Sequence, residues 1–595
     1  MKAFVCCLFV IANISNNGKA SLESFAPTGA NALFEDSTKN SDTVSCYRPC
    51  KFNVKPKRCN YSFKIEPTIL ENGRPALTIN GMTPGPPIQA CVNDIIVVEV
   101  ENRIPDQDVA IHWHGIEQKG TPYMDGVPMV TQCPIGYGQR YKYAFVASSP
   151  GTFFYHSDSV THQSDGVYGA LVINQPQPLE PHSALYDYDR SGENTLLVAA
   201  KFPELLTAKL EDISHLRPDG LIMNGDRDVS RFFVIPNFAY RLRLINSIAI
   251  ECPVTINIDS HEMMVIACDG KATKPVSARN VEIYPGERMD VVVRASQDGG
   301  GGYWVRARGG GACAGLVANA MLIYSGFNYT SMLQENMVEA NPLIEESHLV
   351  IGGQMLESLQ DQSHSSEVKF VYLGIDRNMI KESDNDFRYM SDAIPKKPFF
   401  PASLSLHDEG VVQINGKSFL YPNFPILLKP RDINEDIICK VGEEDQQVDS
   451  QCVQILDAVE GDELEIALVN EGFGSNDSYT FHMHGFNMQV VATWQNSKDK
   501  PISKQEFHRL NSEGKILRNL QNPPLKDTIT VPNKGYTIVR IRPDRGGTWM
   551  LECRSCSISS LPAAIIIRIS QSIPKSVIDS LPKCGSYRPP DVLLN

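Results

Sequence analysis

Two short stretches carry the residues best suited to chemistry. AIHWHG sets His112 and His114 two apart, and TFHMHG does the same with His482 and His484. Residues i and i+2 of a strand share a face, so each stretch would present a pair of imidazoles, the commonest transition-metal ligands. A single H-x-H is usually structural. Two at matching places, both followed by glycine, point to a centre where the pairs meet. Near the end, GTWMLECRSC lines up an acid, a thiol and a base at Glu552, Cys553 and Arg554.

The elements that must position these residues recur along the chain. NDIIVVEVEN (93–102), FAYRLRLIN (238–246) and GDELEIALVN (461–470) alternate apolar and polar residues and end in Asn, the pattern of a half-buried strand running into a turn. A second alternating strand follows each, at 138–145, 288–295 and 535–543, and a third at 151–158, 302–309 and 547–554. Order and spacing hold in all three units, which predicts an all-β chain of three related Greek-key sandwiches. The predicted boundaries are 61–180, 181–357 and 369–595 with its tail, the last two separated by a polar linker at 358–368. LPAAIIIRI is expected to be a buried strand, and RARGGGACAG (306–315) a loop rather than a phosphate cradle.

Residues 1–20 read as a secretory signal: one lysine, an apolar run from Ala3 to Ile14, then a polar stretch ending Gly18-Lys19-Ala20. A Cys-containing extension, 21–60, follows. No stretch is long and apolar enough to span a bilayer. The net charge of −14, without a basic stripe, disfavours nucleic acid. A secreted, extracellular protein is expected, with N-x-S/T glycosylation sites at Asn60, Asn328 and Asn476. Of the 15 cysteines, Cys6 and Cys7 fall in the signal, which leaves an odd number in an oxidising compartment. Cys252–Cys268 and Cys439–Cys452 are the expected local pairs. Cys556 is expected in a structural disulfide, with Cys553 left as the buried free thiol.

IHWHGIEQKGTPYMDGVPMVTQCPI, GTFFYHSDSVTHQSDGVYGALVI and HMHGFNMQVVA resemble the multicopper oxidases, close to the insect laccases and to those insect relatives that lack copper ligands. The resemblance covers about residues 61–570 and implies cupredoxin-like domains. In active members it implies a blue copper that oxidises a phenol or similar donor, and a trinuclear cluster between the first and third domains that reduces dioxygen to water. Carried over position by position, His112, His114, His156, His482, His484 and Cys553 are retained. Asp158, Tyr479, Glu552, Arg554, Ile558 and Ala563 stand where the resemblance calls for other ligands.

A blue site needs two imidazoles and a thiolate, and here only Cys553 remains of it. Arginine is never deprotonated in proteins and cannot ligate. The retained pair for the single cluster copper is His112 with His482. The expectation is therefore no oxygen reduction, and either no cofactor or at most one residual copper or other divalent metal at His112/His482. Arg554, Asp158 and Glu552 are expected to form a salt-bridged network between the first and third domains. The histidines could equally be retained for packing, and Tyr479 fills a vacated site. His162 reads as a solvated loop residue. The function expected is extracellular binding or structure, with an unidentified protein or matrix partner. The alternatives are a surviving oxidoreductase and a metal carrier.

Overall fold

The computed structural model describes residues 46–595 except 209–215, 226–228, 299, 331–349, 361–366, 379–410, 430–432, 442–450, 472–476, 497–499, 557–562, 571–572, 574–576, 579–580, 582–583 and 585–595. The signal, Asn476 and Ile558 therefore lie outside the described residues. The described chain is mostly strand, arranged in paired sheets.

One motif recurs in each unit. Strand Arg58–Ile69 runs parallel to Ile95–Asn102, which pairs antiparallel with Arg140–Val146. Thr195–Lys201, Ala239–Asn246 and Arg288–Arg294 repeat the arrangement, as do Lys369–Asn378, Leu464–Asn470 and Gly535–Ile541. The third strand of each predicted triplet, Gly151–Ser157, Gly302–Gly309 or Gly547–Cys553, lies in the opposing sheet. Each unit closes on its own apolar core, as sandwich packing requires. Ala564–Ile569 is the buried strand expected from LPAAIIIRI. The 306–315 tract is only partly loop: its first four residues finish strand Gly302–Gly309, and a short turn carries Cys313.

Disulfides fix the periphery. Cys46–Cys59 and Cys50–Cys91 pin the end of the extension to the first sandwich, and Cys133–Cys584 ties the tail to it. Cys439–Cys452 forms as expected. Two expectations are corrected. Cys252 pairs with Cys313, not Cys268, because the turn at 311–313 brings the two Cα atoms to 5.3 Å. Cys553 is not free: it pairs with Cys556 across the turn that ends its strand. Among the described residues the free cysteine is Cys268, buried beside the Lys526 ammonium, with Nζ 3.1 Å from its sulfur.

No helix among the described residues is long and apolar enough to cross a membrane.

Candidate metal centre

The first sandwich offers its imidazoles from two paired strands. Ile111–His114 pairs antiparallel with Gly151–Ser157, so that His112 lies opposite His156. Alternation sends Ile111 and Trp113 into the core of the first sandwich, leaving His112 and His114 on the other face. The third sandwich does the same. Phe481 and Met483 enter its core, His482 and His484 face outward, and Glu552 lies opposite His482. Glu552 thus holds the place in the third unit that His156 holds in the first.

The glycine after each H-x-H has a steric reason. Gly115 and Gly485 sit at φ +88° and +73°, in the left-handed region. A Cβ on Gly485 would lie 2.2 Å from the Trp549 ring, and one on Gly115 2.5 Å from the Arg288 guanidinium. The chain must turn sharply there without a side chain, which returns each histidine strand towards the interface.

The two faces meet and all five retained histidines converge, fully buried. His112 Nε2 lies 3.2 Å from His482 Nε2, and His114 Nδ1 lies 3.2 Å from His156 Nε2. The rings of His114 and His482 stack at 3.6 Å. His112 Nδ1 donates to the Asp125 carbonyl (2.8 Å), and His482 Nδ1 to that of Asp527 (3.0 Å). When both rings are neutral, these bonds leave two Nε2 lone pairs facing each other, an arrangement that calls for a shared proton or a shared ion. Burial, then the neighbouring imidazoles, pushes His112 well below its ordinary pKa. Burial likewise lowers His114, His156 and His482.

His484 behaves oppositely. Burial opposes its charge, yet the Asp125 carboxylate at 2.8 Å and Glu552 at 3.3 Å raise it to about 10. It is an imidazolium at neutral pH, with both nitrogens committed.

Arg554 crosses the interface. It donates to Glu552 Oε1 (3.0 Å), to Gln163 Oε1 (2.5 Å) and to the Asp158 carbonyl (3.3 Å), and its Nη2 lies 3.3 Å from His156 Nδ1. The expected network exists, with one correction. Asp158 contributes its backbone, not its carboxylate, because the guanidinium turns towards Gln163 on the short helix Val160–Asp165. Asp158 Oδ1 is shielded and unpaired, and burial with the Glu552 charge nearby pushes its acid up to about 7. Glu552 is held well below the usual carboxylate range by Arg554 and His484, against the cost of burial. His162 corrects another expectation: it is buried on that helix, its Nε2 donating to Gln107 Oε1 at 2.6 Å.

Sequence reasoning missed Asp125, Arg288, Asp527 and Thr528, whose hydroxyl lies 2.8 Å from His114 Nε2. Arg288, from the second sandwich, donates to Asp527 at 2.6 and 2.5 Å and to the Thr152 carbonyl at 3.2 Å, so all three units meet there. Asp125 follows the first H-x-H in MDGVPM and could have been noticed; the others carry no local signal.

Cys553 and Tyr479 are buried in the apolar core of the third sandwich, and Ala563, fully buried, accepts from the Cys553 amide at 2.9 Å. Residues 64–178, 185–326 and 422–556 each match the multicopper oxidase family. The chain belongs to that family. Relatives of this multicopper oxidase-family chain include an L-ascorbate oxidase of Cucurbita pepo var. melopepo, 27% identical over 80% of this chain and 87% of that protein. A laccase of Trametes hirsuta is 27% identical over 81% of this chain and 83% of that protein. Among solved structures, Fet3p, a multicopper oxidase that functions in iron import, superposes with a TM-score of 0.67 at 19% identity, over 86% of this chain and 90% of that one. The laccase of Botrytis aclada gives 0.67 at 23%, over 88% and 91%. The three cupredoxin-like domains are therefore those of the family.

The family's copper can be tested against these side chains. A blue copper does not fit: the Cys553 sulfur is bonded to Cys556, and Tyr479 is a phenol buried in the same core. A trinuclear cluster does not fit either, because Arg554 reaches His156 and both nitrogens of His484 are in ion pairs. The described residues do group into sets that could hold one ion, His112 with His114 and His156, and His112 with His482 and His484. Of these, the His112–His482 pair has its lone pairs free to take it.

Proposed function

We propose that this protein is a secreted, catalytically inactive relative of the laccases, acting outside the cell as a binding or structural protein. The observation that carries the reading is the state of Cys553. As half of a disulfide with Cys556 it offers no thiolate, so the electron-entry site of a multicopper oxidase has no sulfur ligand. Arg554, His484 and Arg288 each face a carboxylate across 2.5–3.0 Å, at Glu552, Asp125 and Asp527. The centre is thus charge-balanced by side chains and serves to join the sandwiches.

The facing nitrogens of His112 and His482 favour a second reading, a single-metal protein, either a carrier or a reduced oxidoreductase. A bound copper would supply redox chemistry there, while His112 and His482 would hold it, with their Nδ1–H bonds to backbone carbonyls fixing the rings.

The test is metal analysis of the purified protein before and after copper reconstitution, with an absorption spectrum and a phenol-oxidation assay. The proposal expects no blue band and no turnover. Several coppers per chain with both would sink it, and one stoichiometric metal without turnover would favour the carrier.

A further inference from the structure

Cys268 closes strand Met263–Cys268 of the second sandwich, and Lys526 sits on strand Leu525–Lys526 of the third. Their side chains meet across the boundary, with Lys526 Nζ 3.1 Å from the Cys268 sulfur and both residues buried. The other described cysteines are all taken up in disulfides. This thiol faces an amine where a disulfide would place a second sulfur.

A buried ammonium needs compensating charge, and Lys526 has it without the sulfur. Asp269 Oδ2 lies 2.8 Å from Nζ, and Glu287 Oε1 lies 2.9 Å from it. A thiol is only a weak acceptor, so the two salt bridges do not account for sulfur at the remaining position.

The space around the pair restricts what can become of the thiol. Gly353 packs against both atoms: a Cβ there would lie 2.6 Å from Nζ and 2.7 Å from Sγ. The pair is closed to glutathione or to a cysteine of another chain, and open only to a small oxidant such as dioxygen. Oxidised cysteine sulfur condenses with a neighbouring nitrogen as well as with a thiol. A direct N–S bond would have to draw the two strands much closer together. One oxygen atom set between sulfur and nitrogen needs little movement.

We infer that Cys268 and Lys526 are joined by dioxygen into a covalent N–O–S bridge, a cross-link between the second and third sandwiches. One amine, one thiol and one dioxygen give one bridge and one water. The S–H bond and an N–H bond break, the S–O and O–N bonds form, and the second oxygen atom leaves as water. Sulfur and nitrogen are oxidised, and dioxygen is reduced. The proton that the ammonium must first lose goes to Glu287. Burial raises that carboxyl, and the opposing influence of Lys526 disappears with its charge. Asp269 stays bound after the bridge forms, because the Arg288 amide donates to its Oδ1 at 2.9 Å. The bridge adjoins Asp527, which Arg288 holds where the three units meet, so it locks that junction. The inference goes beyond the reading above and holds whether or not the histidine centre binds copper.

The experiment is peptide mass mapping of the full-length purified protein after exposure to air, digested without reductant, beside a sample kept anaerobic with dithiothreitol. The aerated sample should yield a linked pair of peptides, one holding Cys268 and the other Lys526. Its mass should equal their sum plus one oxygen less two hydrogens. The pair should come apart on reduction with dithiothreitol, which returns the oxygen as water, and should be absent from the anaerobic sample. It should also be absent from aerated Cys268→Ser, which keeps a small polar group beside Nζ. The wild-type masses alone decide the matter if that variant does not fold. Separate peptides with an unmodified Cys268 after aeration would overturn the assignment. So would Cys268 carrying oxygen without a link, or a link that lacks the oxygen.

Discussion

Strands Gly151–Ser157 and Gly547–Cys553 hold the same position in the first and third sandwiches, and they reach the interface in opposite chemical states. His156 stands opposite His112 as a neutral imidazole, its pKa lowered by burial and then by Arg554. Glu552 stands opposite His482 as a fixed anion beside Arg554. The first sandwich thus presents neutral imidazoles at this position, while the third presents a fixed ion pair beside His484. The difference teaches that the charged pair Glu552–Arg554 comes from the third sandwich alone, while the first supplies its partners, Gln163 and the Asp158 carbonyl for Arg554 and Asp125 for His484.

The largest expected effect comes from removing the cation that spans the two strands. Arg554→Ala leaves Glu552 buried without its closest guanidinium, and breaking one side of a buried pair typically costs about 3–5 kcal/mol. Urea unfolding should show that loss. An unchanged midpoint would mean that the third-sandwich charges are incidental and the comparison false. Gly485→Ala should cost about as much as a serious core overpacking, about 1–3 kcal/mol, because its Cβ would enter the Trp549 ring at a left-handed backbone position.

The pH dependence sharpens the comparison further. In the metal-free protein His484 is raised from 6.5 to about 10. A raised folded pKa gives stability that is fully present below 6.5 and is lost as pH rises towards 10. Asp158, raised from 3.8 to about 7, contributes below 3.8 and loses its contribution by about pH 7. Stability should therefore fall between pH 7 and 10, and His484→Gln should flatten that part of the curve measured by chemical denaturation.

Much of this was legible in the sequence. The triplet of alternating strands revealed the repeated sandwiches, and the two H-x-H-G runs located the interface, because a period of two fixes which side chains share a face. Aligning the third strands at 151–158 and 547–554 places Glu552 in register with His156. What was not legible depends on contacts between distant segments. The pairing of Cys252 with Cys313 needs a turn whose position no local pattern sets. The burial of His162 depends on Gln107, and the choice of Gln163 over the Asp158 carboxylate as the Arg554 partner depends on a six-residue helix, Val160–Asp165. Arg288 and Asp527 are 239 residues apart and read as ordinary surface charges until the fold brings them together.

The smallest effect belongs to the disulfide at the end of the third-sandwich strand. Cys553–Cys556 closes a loop with a sequence separation of 3, and the chain-entropy estimate for so short a loop is only about 2 kcal/mol. Cys556→Ser should lower the unfolding free energy by no more than that while releasing the Cys553 thiol. The released sulfur would still be a single ligand, packed with Tyr479 in an apolar core, where burial disfavours the thiolate. Copper titration of Cys556→Ser should therefore give no blue band. If the band appeared, the disulfide alone would be what separates this strand from a copper-binding one, and the charges at Glu552 and Arg554 would have to be read as a consequence of its closure rather than as the replacement for a metal.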